Sequence, residues 1–351
     1  MTPLLHPFLV NDPFGDPALY VDIKFEKRAL LFDLGDLHAL DPRKFLRLTD
    51  VFVSHAHIDH FIGFDQLLRT LVGRDKRIRL YGPAGIIDRV EHKLAGYTWN
   101  LAHRYKSDLI ISVTEMSTPA EATTAAFQLR NAFRREAGVQ RRLAEGVLLD
   151  DETLCVRAAV LEHIIPCLGF AVEEKAHVNV WKNRLETLGL PVGPWLRELK
   201  RAVVQGEPDD SKVRVWWREG EQVRERYLPL GTLKKQVLRV VPGQKISYVV
   251  DSLYSEENAK RIVALAWASD ILFIEAAFSR ADTEKAADRY HLTTHQAGTL
   301  ARLAGVRRLE PFHFSPRYAG EEDRLRHEVA EAFAATITEQ FHKRRSEDCR
   351  R

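Results

Sequence analysis

Three histidines and one aspartate lie within six residues, and this cluster constrains the fold more than any other feature of the sequence. The cluster (HAHIDH, residues 55–60) follows Ser54 and the stretch from Leu48 to Val53, which ends in three apolar residues and predicts a short strand that leads into a loop. Residues two apart in an extended loop project to the same side, so His55 and His57 can reach one metal ion. Asp59 and His60 come slightly further on, where they can bind a second ion. Imidazole nitrogen and carboxylate oxygen are zinc ligands, so the pattern predicts a metal centre.

Three further candidate ligands follow other apolar stretches of the chain. His163 comes after Val160-Leu161-Glu162, Asp251 after Tyr248-Val249-Val250, and His313 after Leu309-Glu310-Pro311-Phe312. Each residue taken alone is more typical of a surface or capping position. Open α/β sheets bind ligands at the carboxyl ends of their strands, so the shared context favours a common site.

Alternating apolar and helical patterns predict an α/β fold within one domain, residues 1–351. The predicted strands are 19–23, 29–33, 48–53, 77–81, 156–161, 247–250 and 271–274. The predicted helices are 61–72, 85–95, 256–269, 294–304 and an amphipathic segment, 321–342. Alanines, leucines and arginines at helical spacing also predict a helix over residues 123–145.

Residues 173–244 differ in composition from the rest and predict an arm inserted into that domain. They contain several prolines, and basic residues alternate with aromatic ones, as in Trp181-Lys182 and Trp216-Trp217-Arg218. Such a surface suits a nucleic-acid backbone and unstacked bases. A solvated hairpin with aromatic packing is the alternative, and acidic residues such as Asp209 and Asp210 dilute the charge.

Charge and composition exclude few classes of protein. The net charge of +3 arises from 52 basic and 49 acidic residues, which permits a polyanionic partner without requiring one. No apolar run reaches the roughly 18 residues of a membrane-spanning helix, so we expect no membrane partner. The three cysteines (Cys155, Cys167 and Cys349) are too sparse for a disulfide framework. With no signal-peptide pattern at the N-terminus, they predict a cytoplasmic protein.

The order of these motifs resembles that of the metallo-β-lactamase superfamily, and their details resemble the ribonuclease Z family, which processes tRNA 3′ ends. The resemblance runs from about Leu19 to Tyr318. It rests on the following stretches: residues 54–60 (SHAHIDH), 161–163 (LEH), 166–170 (PCLGF), 188–194 (LGLPVGP), 250–252 (VDS), 275–278 (EAAF), 291–293 (HLT) and 313–318 (HFSPRY).

The resemblance implies an αββα sandwich, two packed mixed sheets with helices outside, and two zinc ions per chain. It implies that His55, His57 and His163 hold one ion, that Asp59, His60 and His313 hold the other, and that Asp251 bridges them. Two zinc ions clamp the oxygens of a phosphodiester and convert bound water to hydroxide near neutral pH.

The resemblance also implies roles for residues beside the metals. Asp59 orients the hydroxide, His291 protonates the leaving 3′ oxygen, and Glu275 orients His291. Ser315 and Arg317 hold a phosphate oxygen. The expected substrate is RNA, with residues 173–244 as a binding exosite, and the expected assembly is a homodimer.

The sequence departs from the family pattern at three places. Ile274 stands where a histidine usually precedes the glutamate, Val250 replaces the glycine before the bridging aspartate, and the usual glycine-rich opening before Leu19 is missing. Two other functions stay open on the same residues. One is hydrolysis of a small ester, thioester or cyclic nucleotide, and the other is a metal-stabilised binding protein without turnover.

Overall fold

The computed structural model describes residues 4–175, 177–204, 206–220, 222–241 and 243–335. The chain forms two compact units. The larger one comprises the described parts of residues 1–150, 155–172 and 245–351, and the smaller one comprises 151–154 and 173–244.

The first sheet of the larger unit is a mixed sheet whose described strands lie in sequence order. They are β1 (Leu5–Leu9), β2 (Leu19–Ile23), β3 (Arg28–Phe32), β4 (Leu48–Phe52), β5 (Lys76–Pro83), β6 (Leu109–Thr118), β7 (Glu121–Gln128) and β8 (Val139–Arg142). Strands β3 to β6 are parallel, and the strands at both ends of the sheet pair antiparallel. The strands predicted over 19–23 and 29–33 are therefore confirmed as β2 and β3, which pair with each other.

The second sheet has the order β18-β17-β16-β11-β10-β9. Its strands are β9 (Val147–Asp150), β10 (Leu154–Glu162), β11 (Pro166–Glu174), β16 (Lys245–Val249), β17 (Ile271–Glu275) and β18 (Arg308–Phe312). Strands β16, β17 and β18 are parallel, so their carboxyl ends meet at one edge of the sheet.

Aromatic side chains join the two sheets face to face. Phe170 of the second sheet lies with its ring centroid 5.7 Å from that of Phe32 and 5.6 Å from that of Phe52. Tyr248 lies 5.8 Å from Phe32 by the same measure. These rings are fully or almost fully buried, and such a shared core drives the packing of two sheets.

Helices cover the outer faces of both sheets. Those of the larger unit are α1 (Pro42–Phe45), α2 (Ile58–Phe61), α3 (Phe64–Leu71), α4 (Ile86–Ala95), α8 (Glu256–Ala266), α9 (Thr283–Asp288), α10 (Thr294–Leu303) and α11 (Glu322–Ala334). In α3, Phe64, Leu67, Leu68 and Leu71 are buried, the spacing of one helix face. The larger unit is thus an αββα sandwich, which confirms the expected fold class.

The smaller unit has a separate hydrophobic core. Its elements are β12 (His177–Val180), α5 (Lys182–Thr187), α6 (Trp195–Val204), β13 (Lys212–Glu219), β14 (Gln222–Pro229), α7 (Leu230–Val237) and β15 (Leu238–Val241). Strand β12 pairs with β15, and β13 with β14, both antiparallel. Trp195 is fully buried with Leu199 and Leu233, so residues 173–244 bury apolar surface of their own.

The helix predicted over residues 123–145 is wrong. Residues 121–128 form β7 and residues 139–142 form β8, and Ala132 and Phe133 between them have φ of 52° and 53°, outside the helical region. Pairing with β6 buries Ala122, Ala125 and Phe127, and this tertiary contact overrides the helix propensity of the alanines.

The C-terminal helix predicted over 321–342 appears as α11, and its last residues, like Cys349, lie outside the described residues. None of the helices in the described ranges has both the length and the apolar character needed to span a membrane.

Candidate metal centre

Strand ends bring the predicted ligands to one edge of the sandwich. His55 follows β4, His163 follows β10, and His313 follows β18. Asp251 and His313 have φ of 40° and 56°, a left-handed conformation that non-glycine residues seldom adopt. Such strain persists where the surrounding structure holds a side chain in a set direction, which is typical of functional sites.

The HAHIDH motif is half extended and half helical. His57 has extended backbone angles (φ −68°, ψ 159°), and α2 starts at the next residue. The expected same-side projection of His55 and His57 is observed, with 2.9 Å between His55 Nε2 and His57 Nδ1. Asp59 and His60 instead lie on the helical turn, where they form a second group.

The first group consists of His55, His57, His163 and Asp251. One candidate ligand atom from each lies within 4.8 Å of the others. Asp251 Oδ2 is 3.5 Å from His55 Nε2 and 3.7 Å from His163 Nε2. These separations are those of donor atoms that surround one ion rather than bond each other.

The second group consists of Asp59, His60 and His313, with Asp251 again adjacent. Asp59 Oδ2 is 3.5 Å from both His60 Nε2 and His313 Nε2. Asp251 Oδ2 is 3.5 Å from His60 Nε2, and Asp251 Oδ1 is 3.0 Å from His313 Nδ1. Asp251 therefore lies between the two groups, and the structure brings all seven predicted ligands together.

Protein groups hold the outer nitrogens of three of these histidines. His60 Nδ1 lies 2.9 Å from Asp33 Oδ2, and His163 Nδ1 lies 3.0 Å from the Tyr290 carbonyl oxygen. His55 Nδ1 lies 3.0 Å from the Ser54 hydroxyl. Contacts of this kind fix the ring and direct Nε2 toward a metal.

Asp33 organises this outer shell. It is fully buried, and its carboxylate accepts hydrogen bonds from the Ser54 backbone N–H (2.6 Å), the Ser54 hydroxyl (2.8 Å) and the Tyr248 hydroxyl (2.9 Å). Because Ser54 also contacts His55, one carboxylate supports a histidine of each group.

Three buried atoms at the centre make no hydrogen bond of acceptable geometry in the described part of the chain: His60 Nε2, His313 Nδ1 and Asp251 Oδ1. The last two lie 3.0 Å apart as an ion pair, but their contact lacks hydrogen-bond geometry. Buried polar atoms are normally satisfied, and each unmade hydrogen bond is costly. The unpartnered atoms lie among the candidate ligands, so a cation bound there would satisfy them. The residues present therefore fit a metal ion.

Burial and neighbouring charge set the protonation of the candidate ligands. Burial lowers the pKa of His55 to about 2 and also lowers the pKa of His163, so both rings are neutral and able to bind a metal. Burial would raise the pKa of Asp59, but its hydrogen bond to His313 and the charge of His60 lower that pKa to about 2.

For His313, neighbouring carboxylates outweigh burial and raise the pKa of the ring. Burial disfavours its charged form, but Asp251 and Asp59 raise the pKa of His313 to about 10. A metal ion would supply the positive charge that the proton otherwise provides.

Cys167 lies next to the centre without belonging to it. Its Sγ is 3.8 Å from His55 Nδ1, the ring nitrogen that faces away from the metal groups, and 3.5 Å from the Val250 carbonyl oxygen. Burial raises the pKa of the Cys167 thiol well above its usual value, which keeps it protonated. The candidate ligand set is therefore nitrogen and oxygen only.

Glu275 and His291 form a hydrogen-bonded pair beside the metal groups. His291 Nδ1 is 2.8 Å from Glu275 Oε2, while Glu275 Oε1 accepts the backbone N–H groups of Ser252 (2.8 Å) and Leu292 (3.2 Å). Burial would lower the pKa of His291, but the Glu275 carboxylate raises it. His291 also lines the cleft above the metal groups.

A cleft with a volume of about 460 Å³ opens over these groups. Ser315 and Arg317, the residues predicted to hold a phosphate oxygen, line this cleft, and the Arg317 guanidinium lies 5.2 Å from the centre of the Phe278 ring. Phe14, Asp16 and Arg289 also line the cleft, although no motif in the sequence marks them as site residues.

Comparisons with known proteins agree with this geometry. The chain is 33% identical over 321 residues to a ribonuclease Z from Deinococcus radiodurans, covering 90% of this chain and 91% of that protein. It is 30% identical over 295 residues to a ribonuclease Z from Synechocystis sp., covering 83% and 74%. No protein-family model matches it.

Among solved structures, the metallo-β-lactamase fold protein YhfI from Bacillus subtilis matches with a TM-score of 0.54 and 14% identity, covering 94% of this chain and 95% of that one. At this identity the likeness concerns the fold alone.

Proposed function

The chain belongs to the ribonuclease Z family, and on that premise we propose that it is a zinc-dependent endoribonuclease that cleaves tRNA precursors at their 3′ side. The observation that carries the proposal is the position of Asp251 between two groups of histidines, beneath a cleft that His163, His291 and His313 line.

Two zinc ions per chain are proposed. His55, His57 and His163 would hold one, Asp59, His60 and His313 would hold the other, and Asp251 lies where it could serve both. Seven donor residues exceed the four of a tetrahedral zinc site, and a nitrogen-and-oxygen donor set suits zinc. When bound, the ions supply Lewis acidity at the phosphate oxygens and activate a water molecule.

The residues around this pair of sites have separate tasks in hydrolysis. The Asp59 carboxylate is ionised and partly exposed to the cleft, so it accepts a hydrogen bond from the attacking water and orients it. His291, fixed through Nδ1 by Glu275, donates a proton from Nε2 to the leaving 3′ oxygen. Ser315 and Arg317 hold a phosphate oxygen, and the Phe278 ring restricts the guanidinium.

Residues 173–244 are proposed to bind the RNA away from the reacting bond. In this unit the Arg184 guanidinium lies 3.6 Å from the centre of the Trp181 ring. Lys182, Arg197 and Lys200 line a cavity with a volume of about 490 Å³. Cationic and aromatic groups in one small unit support contact with phosphates and bases.

A homodimer and a cytoplasmic location complete the proposal. Tyr97, Leu101 and Tyr105 are exposed on the segment that follows α4, and exposed apolar side chains close together in sequence are what a subunit interface covers. Cys167 is a buried free thiol, which supports a reducing compartment. Light scattering coupled to size-exclusion chromatography measures the dimer directly.

One assay tests the activity. Zinc-loaded protein is incubated with a tRNA precursor carrying a 3′ trailer and, separately, with bis(p-nitrophenyl) phosphate. The expected result is one cut in the precursor that leaves a 3′ hydroxyl, together with slower turnover of the small diester. Hydrolysis of the small diester with the precursor intact would reject the RNA substrate and favour a small-molecule hydrolase.

A further inference from the structure

The loop between β1 and β2 forms a wall of the cleft. Phe14, Gly15 and Asp16 of this loop line the same space as Asp59 and Ser315. None of the three loop residues belongs to the proposed metal ligands or to the proposed catalytic groups. The loop therefore adds side chains to the cleft whose function is unassigned.

Hydrogen bonds fix this loop relative to the metal centre. The Asn11 side-chain amide donates to the carbonyl oxygens of Asp16 (2.8 Å) and Asp36 (2.9 Å), and the Gly35 N–H donates to the Pro17 carbonyl oxygen (3.1 Å). On the other side of the loop, the Phe314 N–H donates to the Pro13 carbonyl oxygen (2.8 Å). Phe314 directly follows His313, so the loop is tied to segments of the proposed second metal site.

The approach between the loop and the metal-binding turn is very close. A Cβ atom at Gly35 would lie 2.6 Å from Asp16 Cβ and 2.8 Å from the Asp59 carbonyl oxygen. Only glycine permits this contact, because real Cβ atoms do not approach so closely. Asp16 is therefore held beside Asp59 rather than free to move with a surface loop.

The Asp16 carboxylate retains hydrogen-bonding capacity toward the cleft. Its Oδ2 accepts the Asp36 backbone N–H at 3.2 Å, and within the described ranges no hydrogen bond to Oδ1 is found. An ionised carboxylate only accepts hydrogen bonds and repels phosphate oxygens. A group that bound Asp16 in this cleft would therefore be a hydrogen-bond donor rather than a phosphate oxygen.

Resting on the proposed function, we infer that Asp16 is a specificity-determining residue that accepts a hydrogen bond from the ribose 2′ hydroxyl of a nucleotide flanking the scissile phosphate. The 2′ hydroxyl is the donor that every RNA phosphate has within a few bonds, and it is the group that distinguishes RNA from DNA. Phe14, whose ring centroid is 5.5 Å from that of Phe314, provides an apolar surface beside this contact.

The test combines enzyme variants with single-atom changes in the substrate. Three tRNA precursors with a 3′ trailer are compared. The first is all-ribose, the second has a single 2′-deoxynucleotide on the 5′ side of the scissile phosphate, and the third has the 2′-deoxynucleotide on its 3′ side. For the wild-type enzyme, kcat/KM on one deoxy substrate should fall by about 10- to 100-fold, the range for a hydrogen bond to a charged group. For Asp16→Ala the ratio of all-ribose to deoxy kcat/KM should approach one.

Two further variants control the interpretation. Asp16→Asn keeps an oxygen that can accept the Asp36 N–H, so it preserves the loop. Its ratio of all-ribose to deoxy kcat/KM should be smaller than the wild-type ratio. Asp36→Asn removes a neighbouring negative charge but keeps the backbone N–H that binds Asp16, and its ratio should equal that of the wild type. Because each ratio comes from one enzyme preparation, a general loss of folding or zinc cancels.

The outcomes separate this inference from the proposed function. A wild-type enzyme that leaves the all-ribose precursor uncut would refute the endoribonuclease assignment itself. Cleavage of that precursor with equal ratios in the wild type and both Asp16 variants would overturn only the role of Asp16. Cleavage with no 2′-deoxy effect at either position in the wild type would overturn it as well.

Discussion

Glutamine in place of Glu275 changes one charge at a fully buried position and keeps the shape of the side chain. Its carbonyl oxygen can still accept the N–H groups of Ser252 and Leu292, which Glu275 Oε1 accepts now. Its amide NH₂ group then faces His291 Nδ1, where the carboxylate oxygen lies 2.8 Å away. The substitution thus removes the charge that stabilises protonated His291 while keeping the local backbone contacts.

The size of the effect follows from that hydrogen bond. A hydrogen bond to a charged group contributes about 1.5–3 kcal/mol, and about 1.4 kcal/mol corresponds to a tenfold change in rate. Glu275→Gln should therefore lower kcat/KM on a tRNA precursor by roughly 10- to 100-fold. His291→Ala, which removes the acid itself, should cost about 10²- to 10⁴-fold while zinc is retained.

The pH dependence has a defined sign. Protonated His291 is the active acid, so the rate is full below its pKa and declines as pH rises through that pKa. Glu275 raises the pKa of His291, so Glu275→Gln lowers it and moves the alkaline decline to lower pH. Hydrolysis of bis(p-nitrophenyl) phosphate needs no protonation of its leaving group, so neither the rate loss nor the shift should appear with that substrate.

The assay is kcat/KM against pH on both substrates, with zinc content measured in each preparation. Glu328→Gln is the matched control, because Glu328 is also buried and accepts a backbone N–H, from Arg280, but its carboxylate bonds Thr294 and Arg324 rather than His291. Equal losses on both substrates, an unmoved alkaline decline or a loss of zinc would each refute the acid assignment.

The other predictions concern the metals and the RNA. Asp59→Ala should abolish hydrolysis of both substrates and leave the fold largely intact by circular dichroism, since that carboxylate is partly exposed; residual turnover near the wild-type rate would contradict its role. Asp33→Asn should reduce zinc affinity in a chelator competition by about 10- to 100-fold and lower the free energy of unfolding by about 1–3 kcal/mol, and an unchanged zinc affinity would argue against its supporting role. Replacing residues 175–240 with a Gly/Ser linker should spare the small diester, while the salt slope of RNA binding decreases by nearly one unit per lost phosphate contact. Trp217→Ala should weaken RNA binding by about 1–3 kcal/mol if the ring stacks on a base, and unchanged binding would make that ring structural.

Sequence pattern predicted the sheets best where burial is strongest. The stretch 271–274 forms β17, which is buried along its whole length, and 48–53 forms β4. Short continuous apolar stretches are typical of strands that are buried on both faces of a sheet. Residues 123–145 were predicted wrongly because alanine content reports local propensity, whereas the conformation is decided by pairing with β6. That pairing partner cannot be found by spacing within the segment.

The candidate centre was predictable because its donors are of rare residue types at strand ends. Its supporting shell was not, since Asp33 looks like any acidic residue after a strand until Tyr248, 215 residues away, donates to it. Long-range pairing of two sheets creates that contact, and no local pattern contains it.

Asp16 illustrates the same limit for specificity. In the sequence it lies between a glycine and a proline, which is typical of a turn and carries no functional signal. Its position beside Asp59 depends on the missing side chain of Gly35 and on the Asn11 amide, which joins two loops. Metal chemistry requires particular residue types and so leaves a motif in the sequence. A hydrogen bond to one hydroxyl group requires only an acceptor at the correct position, and three loops that are distant in sequence define that position.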